Sequence, residues 1–216
     1  MDGFFQYTRA ERAVDGGIHA AGIIAALAGI VLLGIEMPWP VQWPVVAALG
    51  IYAVGLLAML LASAAYNAAP DGRTKALLRR LDRAAIFLMI AGTYTPMTVL
   101  GLGGGAGLGL LATVWAGALA GVVFSLTAEA WLDRVAIAAY LALGWCGFVL
   151  VGQLWAVLTP GAFALLLGGG ISYSVGVVAH QAHRMRFHNA VWHVMVMAGA
   201  GCHFALVLLL ARAARG

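Results

Sequence analysis

AVWHVMVMAGAGCHFALVLLLA, residues 190–211, runs twenty-two residues without an Asp, Glu, Lys or Arg. A helix of that length rises roughly 33 Å, enough to cross a hydrocarbon core of about 30 Å. Its only imidazoles are His193 and His203. Working outward, six further apolar runs of similar quality occur, and together they predict spans at about 14–35, 45–66, 84–101, 107–127, 135–155, 159–179 and 190–211. No stretch shows the period-2 alternation of a membrane β-barrel. The expectation is therefore an all-α bundle of seven transmembrane helices. It forms a single membrane domain over 1–216, with a short segment, 1–13, ahead of the first span.

Composition agrees. The 216 residues are 63% hydrophobic and 9% charged, with a mean hydropathy of +0.97. Soluble domains carry about 25% charged residues, so one aqueous core with a polar surface is excluded. The formal charge of +4 does not indicate nucleic acid, because the cations sit in short segments between apolar runs. Arg9 and Arg12 precede span 1. Arg73, Lys75, Arg79, Arg80 and Arg83 follow span 2, Arg134 follows span 4, and Arg184 and Arg186 follow span 6. The other loops have none, and the tail after span 7 carries Arg212 and Arg215. Ten of the twelve cations thus fall on one side, which the positive-inside rule makes cytoplasmic. The N-terminus is expected inside and the C-terminus outside. MDGFFQYTRAER at the start lacks the apolar stretch of a signal peptide. Cys146 and Cys202 both lie inside apolar runs and imply no disulfide framework.

The glycine-rich stretch 101–109 is a turn between two spans. A phosphate loop would need a strand before it, so the glycines are read as sites of close helix approach. Polar residues within the spans are more informative, since intramembrane ionisable groups mark function or a buried network. His19, Ser63, Asn67, Asp82, Asn189 and His193 fall at a similar depth near the arginine-rich end of four spans. Ser63 and Asn67 share a helix face, as do Asn189 and His193, each pair being four apart. His188, His180 and His183 are expected at the wet interface. His203 lies roughly 15 Å deeper than His193 and is expected to bond across helices in a polar network. Thr93, Thr95 and Pro96 predict a kink in span 3. The competing reading of the six-residue set is a purely structural polar network, with Asp82 in an ordinary helical ion pair with Arg79.

Four segments together resemble one family. LRRLDRAAIFLMIAGTYTP (78–96), ERAVDGGIHAAG (11–22), SAAYN (63–67) and NAVWHVMVMAGAGCHF (189–204) are similar, in content and order, to the landmarks of the bacterial hemolysin III proteins. Those proteins are relatives of the progestin and adiponectin receptors. The resemblance covers essentially the whole chain. It implies a seven-helix protein of the bacterial inner membrane, with membrane lipids as partners and no soluble partner; a homo-oligomer is compatible with it. It also implies a zinc site near the cytoplasmic face, held by three histidines with a serine and an aspartate beside the metal. Mapped by position, Ser63 and Asp82 take the catalytic places, and Asn67, Asn189 and His193 take the metal-ligand places. Two of the three ligand positions are therefore Asn, and a neutral amide is a weak ligand for zinc.

The reading that follows is a hemolysin III-like protein of membrane homeostasis or lipid sensing with a degenerate site. The alternatives are a zinc-dependent, ceramidase-like lipid amide hydrolase, and an ion or proton channel using His19, Asp82, His193 and His203. Reporter fusions test the orientation: an enzyme active only outside the cytoplasm is active when fused after Gly216, and a fluorescent cytoplasmic reporter is dark there. The reverse result contradicts an inside N-terminus on seven spans.

Overall fold

The computed structural model describes residues 7–37, 39–128 and 133–215. Residues 1–6 of the expected N-terminal segment lie outside that range. The elements are α1 (Arg9–Ile35), α2 (Trp43–Ala68), α3 (Arg73–Pro96), α4 (Gly104–Thr127), α5 (Asp133–Trp145), α6 (Val151–Val157), α7 (Pro160–Gln181) and α8 (His188–Ala213). A π-helical turn, Met97–Leu102, extends α3, and a 3-10 stretch, Cys146–Leu150, joins α5 to α6. Among the described residues there is no strand. Seven helical segments are long and apolar enough to cross a membrane, one of them composed of α5, the 3-10 stretch and α6.

The helix starts are set by local chemistry. Thr8 and Glu11 form a capping box: the Glu11 amide donates to Thr8 Oγ1 at 3.2 Å, and the Thr8 amide donates to Glu11 Oε2 at 2.9 Å. These bonds satisfy donors that a helix N-terminus leaves open. Thr159 caps α7 by accepting from the Ala162 amide at 3.2 Å, with Pro160 in the first turn. α3 begins eleven residues before its expected span. Its first three turns, rich in Arg, Lys, Leu and Ala, are good helix formers too polar for a hydropathy window to include.

Backbone irregularities inside the bundle are compensated by side chains, as a lipid environment requires. The expected disturbance at Pro96 takes the form of the π-helical turn that follows it. Thr93, Thr95 and Thr98 donate to the carbonyls of Met89, Ala91 and Tyr94 at 2.7–2.9 Å. In the fifth span, the Tyr94 hydroxyl donates to Gly144 O at 2.7 Å and accepts from the Gly147 amide at 3.0 Å. One phenol thus serves both sides of the break between α5 and α6.

Packing orients α1 decisively. Asp15, His19, Gly22, Ala26, Gly29 and Leu33 form its buried stripe, while Ile24, Leu27, Val31 and Ile35 are exposed on the face left to lipid. α8 packs against both α7 and α1, and α2 packs against α1 and α3, so the first and last spans are neighbours. At the far end, Arg212 and Arg215 pair with Glu36 at 2.8 and 2.9 Å, and Arg215 also donates to the Ile35 and Met37 carbonyls. The Arg212 guanidinium holds the Glu36 carboxyl below its usual range. The two cations on the side opposite the other ten are thus joined to a local carboxylate.

Gly121 of α4 lies against Phe87 of α3, which is 1% exposed. A Cβ added at Gly121 would stand 2.3 Å from the Phe87 ring, and the ring is wedged beside Tyr140 at a centroid distance of 4.6 Å. Gly121→Ala is expected to cost about 1–3 kcal/mol through overpacking, read as a fall of several degrees in thermal unfolding in detergent. An unchanged transition would show that the α3–α4 interface yields.

Candidate functional site

α1, α2, α3 and α8 each bring polar side chains to one point near the arginine-rich end of the bundle. Asp15 and His19 come from the buried stripe of α1, Ser63 from α2, Asp82 from α3 and His193 from α8. Asp15, His19, Ser63 and His193 are all buried. His193 Nδ1 lies 2.5 Å from Asp15 Oδ1. His19 Nδ1 lies 2.8 Å from the Asp15 carbonyl oxygen and 3.6 Å from Oδ2 of the same residue. The two imidazoles stand edge to face, 4.3 Å apart between centroids.

The Ser63 hydroxyl is the hub. Its Oγ lies 3.2 Å from His19 Nε2 and 3.3 Å from His193 Nε2, and Asp82 lines the same small pocket as Ser63 and both rings. Tautomers follow from the partners. Each Nδ1 faces only an oxygen acceptor, so each carries a proton and donates it. In the neutral rings both Nε2 atoms then present lone pairs to Ser63. A hydroxyl has one proton to give, and the two ring nitrogens compete for it.

Ser63 and Asp82, the positions the resemblance assigns to catalysis, therefore line one pocket together with His193. His19, expected only as a network residue, belongs to the hub. Asn67 and Asn189 stand beside it and bond elsewhere: Asn189 Nδ2 donates to Asn67 Oδ1 at 3.1 Å, and Asn67 Nδ2 donates to the Ser63 carbonyl at 2.9 Å. His203 lies apart, its Nε2 donating to Leu166 O at 3.3 Å with its ring over Gly169, where any Cβ would collide with it.

Two residues depart from the sequence reading. His188, expected at the wet interface, is buried at 4% exposure. It is covered by Tyr7, 5.7 Å away between ring centroids, and by His183 at 5.4 Å. The cause is a tether, since Glu11 Oε1 accepts from the Phe187 amide at 3.1 Å and draws the start of α1 across the α7–α8 turn. Asp15, absent from the sequence expectations, shares a face with His19 four residues later. That spacing was the available signal.

The zinc site implied by the resemblance does not fit the side chains present. Two of its three ligand positions are amides bonded to each other, which leaves His193 as the one imidazole of the set. A different group, Asp15, His19 and His193, brings ligand atoms within 4.8 Å of one another and could hold a metal ion.

A cavity of about 1050 Å³ opens above the hub. Arg12, Lys75, Arg79, Arg83 and Arg134 line it, together with Glu11, Asp71, Asp15 and Asp82. Burial pushes the Tyr7 hydroxyl at its edge up to about 12, so this phenol stays neutral. A second pocket of about 60 Å³ lies on the other side, with walls including Met59, Leu60, Ile86 and Met197, and with Ser63 and His193 in its lining. His19 and Asp82 line both.

The mismatch at the ligand positions has a measurable consequence. Asn67→His combined with Asn189→His is expected to raise the zinc retained after purification in chelator-free buffer by about one ion per chain, by restoring a three-imidazole set. No gain over the parent chain would contradict the assignment of these positions.

The model of the family described as Haemolysin-III related matches residues 7–204. Hemolysin-3 homolog of Bacillus subtilis (strain 168) is 33% identical over 203 residues, covering 94% of this chain and 95% of the relative. Hemolysin-3 of Bacillus cereus is 32% identical over 190 residues, covering 88% and 87%. With seven helices of membrane-spanning length and a family match over nearly its whole length, this chain is a multi-pass bacterial cell-membrane protein and belongs to the Haemolysin-III related family.

Proposed function

We propose that this protein serves membrane homeostasis by engaging lipids at its arginine-rich end, which faces the cytoplasm. The observation that carries the reading is the pair of unlike cavities meeting at one polar hub. Five cationic side chains line the wide cavity, while the narrow pocket adds Met59, Leu60, Ile86 and Met197 to the polar hub residues, a gradient that suits the headgroup and the first part of the chain of an amphiphile. Carboxylates lining the wide cavity have partners of their own. Asp71 pairs with Lys75 at 3.2 Å, Glu11 accepts from Thr8 and Phe187, and Asp15 is held by His193. A guanidinium carries five N–H donors in a planar fork, a geometry that suits a phosphate or carboxylate headgroup.

Among the described residues no span carries a polar stripe along its length, which disfavours a steady aqueous pore as the mode of action. Metal-dependent hydrolysis at the family's ligand positions is disfavoured by the amide pair there.

Lipid preference tests the reading. An anionic lipid such as phosphatidylglycerol is expected to raise the unfolding temperature of the detergent-solubilised chain by several degrees more than phosphatidylcholine at equal concentration, because ligand that binds only the folded state stabilises it. Arg79→Gln with Arg83→Gln is expected to weaken the apparent affinity for the anionic lipid on the order of tenfold. Equal shifts from both lipids would refute the proposal.

A further inference from the structure

We propose that the first turn of α1 is a hinged lid over the wide cavity, latched by Glu11 to the turn between α7 and α8. Tyr7, Glu11 and Arg12 line the cavity from the α1 side, and Phe187 and His188 line it from the other. The bond that joins the two sides runs from the Phe187 amide to Glu11 Oε1, at 3.1 Å. Tyr7 lies over His188 with ring centroids 5.7 Å apart. Part of what buries this imidazole therefore belongs to the lid.

Three features suit a part that moves. Glu11 divides its two oxygens between two tasks. Oε2 accepts from the Thr8 amide and hydroxyl at 2.9 and 2.8 Å, which closes the turn on itself, while Oε1 alone holds Phe187. The capping box thus keeps the turn helical when the latch lets go. Phe187, at the latch, has φ 59° and ψ 19°, a left-handed conformation that bulky residues seldom adopt. Among the described residues it is the only non-glycine with positive φ. Such strain persists where surrounding contacts hold it, and it favours release.

The third feature is the pair Gly16 and Gly17, one turn below the latch. Neither has a neighbouring atom within 4 Å of where a Cβ would stand, so close helix packing does not call for glycine at either place. Successive glycines weaken a helix and are a site where it bends. Glu11 stands roughly 8 Å beyond the pair at 1.5 Å per residue, so a small bend lifts it away from Phe187. Asp15 lies next to the pivot and keeps its place on His193. The cavity then opens without breaking the buried pair at the hub. That the occupant admitted is a lipid headgroup rests on the lipid reading above; the lid does not.

The test treats the full chain in a neutral detergent with diethyl pyrocarbonate, which acylates imidazole nitrogens open to water. Peptide mapping by mass spectrometry reads the rate at each histidine, and His183, exposed on the same turn, is the internal reference. In the unsubstituted chain His188 is expected to label on the order of tenfold more slowly than His183, because it reacts only from the opened form. Glu11→Ala removes the latch and is expected to raise the His188 rate on the order of tenfold. Glu11→Gln keeps an acceptor oxygen for the Phe187 amide and is expected to stay slow. Gly16→Ala combined with Gly17→Ala stiffens the hinge and is expected to slow His188 several-fold while leaving His183 unchanged. This pair adds methyl groups in open space and retains Glu11, so it decides the matter if Glu11→Ala fails to fold. A His188 rate equal to that of His183, or unmoved by Glu11→Ala or by the alanine pair, would overturn the proposal. A lid that responds to these variants in a chain with no anionic-lipid preference would uphold the latch and refute the lipid reading separately.

Discussion

A carboxylate buried among membrane helices must be paired, and the arrangement of this protein's polar end follows from how Asp15 is paired. An unpartnered charge in that setting costs several kcal/mol. Asp15 meets the requirement with His193, bringing the first and last spans into contact at 2.5 Å. Its own carbonyl holds His19, and the two rings so oriented converge on Ser63 of the second span. One residue of α1 thereby specifies how α1, α2 and α8 are rotated about their axes.

The rest of the bundle shows the same bookkeeping of donors and acceptors. Tyr94 bridges the break in the fifth span, and three threonines return hydroxyl protons to carbonyls around Pro96. The two asparagines satisfy each other and the Ser63 carbonyl. At the family's ligand positions, a neutral amide pair thus does what a shared ion would otherwise do, holding α2 to α8. At the hub the balance differs, as it does at the buried Tyr52 and Ser125 hydroxyls, which have no hydrogen-bond partner. The hub's acceptors outnumber its protons, and such an imbalance in a buried polar group marks a place where chemistry or binding is expected.

Sequence patterns reached much of this and failed at identifiable points. Spans were legible because twenty apolar residues have no other stable solution in lipid. Ser63, Asp82, His19 and His193 were legible as polar residues at a common depth. Asp15 was overlooked because it stands near the start of a span, where charges are ordinary, and its meaning lies in a residue 178 positions away. His188 was misplaced because burial at a helix end depends on what folds over it, here Tyr7 and the Glu11 tether. The mutual bond of Asn67 and Asn189 could not be read from either helix alone.

What the sequence by itself determined is the number of spans and most of their approximate ends, since both follow from local hydropathy and helix length. It also determined the depth of each polar residue, because rise per residue is constant. Only the tertiary structure decided which polar residues meet. Rotation of each helix and the choice of neighbours depend on contacts such as Gly121 with Phe87 and Gly169 with His203, between residues far apart in the chain. The line from Asp15 through His193 to Ser63 joins three helices, and no periodicity within one of them encodes it.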